Sequence, residues 1–283
     1  MRVAEVMTPR SELVTATVPG SREDVLQLLQ RREFSSVPVV KETDQGEIYR
    51  GLVTRERLIE NPDEDQLAML LEEVAAIESG ASLEELAEEM VTTGARRIPI
   101  VDGELEGIVT VTDVIRAIAN GKAEIDATVE AYAEREVHTT YTEATLHAAE
   151  RGLFYADEAY AVVLDRDGEM AGMLTEVDII DVATVIQGQE RTGDSIADQD
   201  SDWAWEGIKA IGSRYLTTLN VEFPDDPVSS VMTEDVVTIS RQRSVSEAAQ
   251  RMITNDIEQI PMVRGDEIVG MVKDLQLLES LYA

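Results

Sequence analysis

Apolar and polar positions along this chain follow two rhythms that recur in a fixed order. Apolar residues three and four apart, as in Val25, Leu28 and Leu29 and in Leu83, Leu86 and Met90, predict amphipathic helices. Short unbroken apolar runs, such as Ile98 to Val101 and Ala159 to Leu164, predict buried strands. Ser21 and Asp24, Ser82 and Glu85, and Ser244 and Glu247 each place an acid three residues after a serine. That spacing predicts a capping box, in which serine and acid satisfy each other's orphan amides at a helix start. Gly103, Gly168 and Gly265 mark tight turns between strands.

The same order occurs four times. Arg22, Leu83, Leu146 and Val245 each stand sixteen positions before Pro38, Pro99, Val162 and Pro261, which sit in the apolar runs. Each copy then reaches a glycine (Gly51, Gly107, Gly172 or Gly270) followed by a predicted helix. The expected fold class is α/β (α+β), with four β-α-β-β-α repeats. Repeat 1 spans 1–62, repeat 2 spans 63–122, repeat 3 spans 123–187 and repeat 4 spans 225–283, with an inserted linker at 188–224. A unit of about 55–60 residues buries too little surface to be robust alone. Repeats 1 and 2 are therefore expected to pair, as are repeats 3 and 4.

Composition narrows the chemistry. Apolar residues make up 43% of the chain, enough for a packed core, and aromatics only 4%, so aliphatic side chains must fill it. No apolar run approaches the ~20 residues that span a bilayer, and the first residues lack a signal-peptide pattern, so a cytoplasmic location is expected. The absence of cysteine excludes disulfides and thiolate chemistry. The net charge of −33 is spread along the whole chain, and lysine is confined to Lys41, Lys122, Lys209 and Lys273. Such a surface repels itself at low salt and is screened at molar salt, where the Debye length is about 3 Å. A halophile's cytoplasm is the expected setting, with little non-specific affinity for nucleic acid at low salt.

The segments Val6 to Arg10 (VMTPR), Val231 to Asp235 (VMTED) and Ile98 to Asp102 (IPIVD), with a G-x-x-T-x-x-D signature, resemble the CBS-domain family. Two such repeats packed together form a Bateman module, and a four-repeat archaeal-type regulatory protein is the form implied here. The resemblance covers nearly the whole chain apart from about 188–223. It implies clefts that hold adenosine-containing ligands. The signature is complete at Gly107–Asp113 and Gly172–Asp178. Repeat 1 has Arg57 at the Asp position, and repeat 4 has Lys273 and Gln276 in place of Thr and Asp.

In the family the Asp accepts the ribose hydroxyls and the Thr lies near ribose and phosphate. A carboxylate suits this because it only accepts, whereas Arg57 only donates. Two competent sites are therefore expected. By position, Asp113 and Thr110 would face Thr8, Val14, Phe34, Ser35 and Ser36, with Phe34 against the adenine, where stacking contributes ~1–3 kcal/mol. Asp178 and Thr175 would face Thr233, Val237, Ile257 and Glu258, with Glu258 accepting the adenine amino group. Arg96 and Arg97 stand where the family places basic phosphate ligands, and arginine's planar fork fits phosphate. An alternative reading makes Asp113 and Asp178 helix starters, Phe34 a core residue and the arginine pair a surface feature.

No P-loop, Rossmann fingerprint or catalytic triad is present, and Asp165 to Gly168 is expected to be a hairpin turn. His138 and His147 are expected to be structural. The expected function is regulatory binding of AMP, ADP, ATP or a dinucleotide, with no metal and no catalysis. The alternatives are a nucleotide-responsive docking factor on an assembly such as the ribosome, or an S-adenosylmethionine binder. No membrane association is expected, and a homodimer is compatible with the reading. The polar stretch 187–202 is expected to be a loop, followed by Trp203 and Trp205, which are read either as a partner anchor or as a plug between modules.

Overall fold

The computed structural model describes residues 1–32, 36–44, 46–54, 57–58, 61, 64–123, 125–182, 184–186, 220–222, 224–265 and 267–283. The expectations placed on Phe34, Ser35, Trp203 and Trp205 lie outside the described residues, as does the 187–202 stretch.

One architecture recurs four times, in a mixed α+β fold. In repeat 1 a short strand β2 (Ala16–Thr17) leads through the helix Arg22–Arg32 to a parallel central strand β3 (Ser36–Thr43), which turns into an antiparallel strand β4 (Gly46–Thr54). Repeat 2 runs from the parallel bridge Ile77–Ile100 through the helix Leu83–Thr93 to β5 (Arg97–Asp102) and β6 (Glu104–Thr110). Repeat 3 has β7 (Thr139–Tyr141), the helix Leu146–Ala156, β8 (Tyr160–Leu164) and β9 (Met170–Thr175). Two further strands, β10 (Thr184–Ile186) and β11 (Asn220–Glu222), pair antiparallel beyond it. Repeat 4 has β12 (Ile239–Ser240), the helix Val245–Asn255, β13 (Gln259–Arg264) and β14 (Glu267–Lys273). The register shifts at the same place in all four hairpins, after Val39, Ile100, Val163 and Met262. A bulge at an equivalent position is a repeat feature that hydrophobic spacing alone does not reveal.

The capping boxes form at Ser21–Asp24 and Ser82–Glu85. In repeat 4 only half of the expected box closes. Ser244 accepts from the Glu247 amide, but the Glu247 carboxylate turns to Arg243 and Arg251. A charged partner outcompetes a backbone amide for that carboxylate.

Each repeat is preceded by a leader that forms a single 3-10 turn: Val3–Glu5, Leu67–Met69, Val129–Ala131 and Val228–Ser230. Each leader's backbone pairs with a repeat other than the one it introduces. β1 (Thr8–Pro9), from the first leader, pairs with β6 of repeat 2, while Glu72 of the second leader pairs with Leu52 of repeat 1. Glu134 of the third pairs with Met271 of repeat 4, and Thr233 of the fourth pairs with Met173 of repeat 3. The close approach is made on the repeat glycines. A Cβ on Gly107 would lie 2.5 Å from the Thr8 carbonyl oxygen, and one on Gly172 would lie 2.7 Å from that of Thr233.

The described residues divide into two units, Met1–Glu136 with Val237–Ala283, and Val137–Val236. In the first unit, one apolar cluster joins repeats 2 and 4 through Val114, Ile115 and Ile118 and through Val245, Ala248 and Met252. A separate cluster of Val25, Leu29, Val37, Val39 and Val53 closes over Leu67 and Leu70 of the second leader. The second unit has its own core of Leu146, Leu153, Ala161, Val163, Leu174 and Val228. The shared core of repeats 2 and 4 was not part of the expected pairing. No helix among the described residues is long and apolar enough to cross a membrane.

Candidate functional site

The site of the first unit is built at the start of the helix Val111–Ala119, where Thr110 is the N-cap. The Asp113 amide donates to Thr110 Oγ1 at 3.3 Å, while Asp113 Oδ2 accepts from the Thr110 amide at 3.0 Å and its hydroxyl at 2.7 Å. Oδ1 accepts from Arg116 at 3.0 Å. The Asp113 side chain is only 15% exposed, against 52% for Arg116. The carboxylate is therefore already partnered by Thr110 and Arg116. T-x-x-D is itself a capping box, and Asp113 closes it with Thr110. A carboxylate offers about four acceptor positions. Three are in use, and the half-exposed Arg116 holds the most displaceable one.

Around Thr110 the structure gathers several of the expected residues. Arg97 lies opposite Thr110 in the β5–β6 ladder, and its guanidinium donates to Ser36 Oγ at 2.8 Å. Thr8 pairs with Ile108, two residues before Thr110 on the same strand. Val14 is half-buried in the extended link ahead of β2. Arg10 of the same leader is fixed by a two-pronged pair with Glu47 at 2.8 and 2.9 Å, which holds the Glu47 carboxyl below its ordinary range.

Arg96 departs from expectation. Its fork closes on both oxygens of Asp274, at 2.6 and 3.1 Å, and reaches Glu258 at 3.1 Å. Burial disfavours its charge, but the two carboxylates more than offset this and raise its pKa. A guanidinium held by two carboxylates is already paired, and Arg96 here ties repeat 2 to repeat 4. For the same reason Glu258 is engaged as an acceptor of Arg96.

In the second unit the helix Glu176–Val182 begins the same way. Asp178 Oδ2 accepts from the Thr175 amide and hydroxyl, both at 2.7 Å. Thr233 sits on Met173, two residues before Thr175. Val237, Ile257 and Glu258 belong to the other unit. His138 is held below its ordinary pKa by burial, against the smaller opposing pull of Glu158. The Asp165–Gly168 segment is the turn expected, with Asp165 Oδ1 accepting from the Asp167 and Glu169 amides at 2.9 Å. Among the described residues no group of His, Asp and Glu is placed to hold a metal.

The sequence model of the CBS domain matches residues 3–64, 69–120 and 228–283, more than half of the chain. The chain belongs to the CBS-domain family. The remaining β-α-β-β-α unit, with the helix Leu146–Ala156, lies outside those matches yet carries the same strands, bulge and capped helix. Over 99% of its length the chain is 24% identical to the uncharacterised protein MJ1404 of Methanocaldococcus jannaschii, and over 74% it is 24% identical to MJ1225 of the same organism. It spans 61% and 66% of the lengths of those relatives. A solved structure of an uncharacterised conserved protein from Pyrococcus horikoshii superposes with a TM-score of 0.70 at 26% identity, covering 99% of this chain and 100% of that one. The structure of MJ1225, a candidate archaeal homologue of γ-AMPK, superposes with a TM-score of 0.64 at 19% identity, covering 99% of both chains. That second likeness is one of fold.

Sequence reasoning found the leaders of repeats 1 and 4 through their Val-Met-Thr triplets and missed those of repeats 2 and 3. The signal was present in register: Leu67, Val129 and Val228 occupy the position of Val3, and all four are fully buried.

Proposed function

We propose that the chain is a regulatory protein that binds adenosine-containing nucleotides at its CBS repeats and passes their presence to a partner without catalysing a reaction. The observation that carries this reading is the cluster at the start of the helix Val111–Ala119. There a largely buried carboxylate, two threonines and an arginine meet within one unit. Asp113 would accept the ribose hydroxyls, with Arg116 displaced or shared. Thr110 and Thr8 would line the approach, and Arg97 would face the phosphate. A ligand of this kind supplies a cis-diol and a dianionic group, which the carboxylate and the guanidinium complement in turn. Asp178 and Thr175 form the second such set.

The acidic surface further supports an intracellular setting of high ionic strength. The test is calorimetric titration of the purified chain in molar KCl with AMP, ADP, ATP, NAD and S-adenosylmethionine. About two sites per chain are expected for at least one of them. Absence of heat and of thermal stabilisation with all five would refute the reading.

A further inference from the structure

At one position of the four leaders the residue type tracks the signature. Three observations identify that position independently: the residue follows the leader's 3-10 turn, bridges the residue after the repeat glycine, and rests its carbonyl on that glycine. It is Thr8 on repeat 2, Thr233 on repeat 3, Glu72 on repeat 1 and Glu134 on repeat 4. The threonines accompany Asp113 and Asp178. The glutamates accompany Arg57 and Gln276, where the helix has lost its carboxylate.

The side chains complete the exchange. In repeat 1, Thr54 Oγ1 donates to Glu72 Oε1 at 2.9 Å, as Thr110 Oγ1 donates to Asp113. In repeat 4, the Lys273 ammonium pairs with Glu134 Oε2 at 2.8 Å and the Gln276 amide donates to Oε1. Every repeat thus places one carboxylate against the residue that caps its last helix. In two repeats it comes from the helix, and in two it comes from a leader belonging to another repeat.

We infer that Glu72 and Glu134 are built-in occupants that keep repeats 1 and 4 from taking the ligand, so that the leader position selects which repeats bind. A leader glutamate brings its carboxylate from the strand side, across the approach that a threonine leaves open. In repeat 4 it consumes the charge of Lys273, so an anionic ligand meets a neutralised pair and a carboxylate rather than a free donor. The inference deepens the nucleotide-binding reading and rests on it.

Two variants test it by binding stoichiometry, with AMP and ATP as probes and circular dichroism as the check on folding. The triple variant Glu134→Thr, Lys273→Thr and Gln276→Asp transplants the Thr8, Thr110 and Asp113 set into repeat 4, and should raise the count from about two to about three. Thr8→Glu keeps Asp113 but closes its approach, and should lower the count from about two to about one. A wild-type count of four overturns the inference. So does an unchanged count of two in folded Thr8→Glu, whatever the triple variant does. A wild-type chain that binds neither probe overturns the nucleotide-binding reading and this inference with it, whereas two sites that ignore the leader overturn the inference alone.

Discussion

Replacing Asp113 by alanine removes one carboxylate with two jobs, and the structure lets each be sized. Oδ2 accepts two bonds from Thr110, which closes the capping box of the helix Val111–Ala119. Loss of a helix cap costs about 1 kcal/mol, within a range of 0.5–2. Oδ1 accepts from Arg116, a partner 52% exposed, and such a surface pair adds at most about 1 kcal/mol. Asp113→Ala should therefore destabilise the ligand-free chain by about 1–2 kcal/mol. Losing charge-assisted bonds to a ribose removes ~1.5–3 kcal/mol of binding, a tenfold to hundredfold fall in affinity at ~1.4 kcal/mol per decade. Asp113→Asn retains an acceptor for Thr110 and should lose less on both counts. Arg116→Gln should leave affinity intact or raise it, because it frees Oδ1. Urea unfolding and calorimetry on the same preparations, in molar KCl, give both quantities. An unchanged unfolding midpoint in Asp113→Ala would refute the capping role. An unchanged affinity beside a lowered midpoint would show that Asp113 is a cap alone, and the site built on it would fall.

Arg96→Leu strands Asp274, whose side chain is 7% exposed, and should cost about 2–4 kcal/mol in urea unfolding while leaving nucleotide affinity within twofold. A large affinity loss without destabilisation would return Arg96 to the phosphate. Gly107→Ala drives a Cβ to 2.5 Å from the Thr8 carbonyl, and the shift of the leader should cost ~1–3 kcal/mol, read as a lowered thermal midpoint. Glu47 is held below its ordinary value of 4.5 by Arg10. The folded chain therefore binds fewer protons there than the unfolded one. Its contribution is present above 4.5 and is lost as pH falls through the lower folded value, so Glu47→Gln should flatten the acid limb of a stability–pH curve below that point. With a net charge of −33, the thermal midpoint should rise markedly between about 0.1 and 2 M KCl, and an unchanged midpoint would remove the high-salt reading.

What the sequence determined by itself is what short spacing encodes. The helix starts at Ser21 and Ser82, the central strands around Pro38, Pro99 and Pro261, and the Gly107–Asp113 and Gly172–Asp178 signatures all lie within segments where neighbours in sequence are neighbours in space. The bonds of the helix starts and signatures close over three residues, and the strands show as short apolar runs of their own, so pattern and local structure are nearly the same information. The four-fold order of repeats followed from the same spacing. What only the tertiary structure decided is which distant segments meet. Thr8 reaches Ile108, Glu134 reaches Met271, and Arg96 finds Asp274, 178 residues away. A leader carries the same short apolar pattern whichever repeat it covers, so its partner is chosen by the glycine that admits its backbone and by burial of its first residue. An arginine beside a strand likewise reads as a ligand or a tie until the carboxylate that neutralises it is in place. Pattern fixes each surface, but the matching of surfaces depends on the free energy of the assembled whole, which no local window of residues contains.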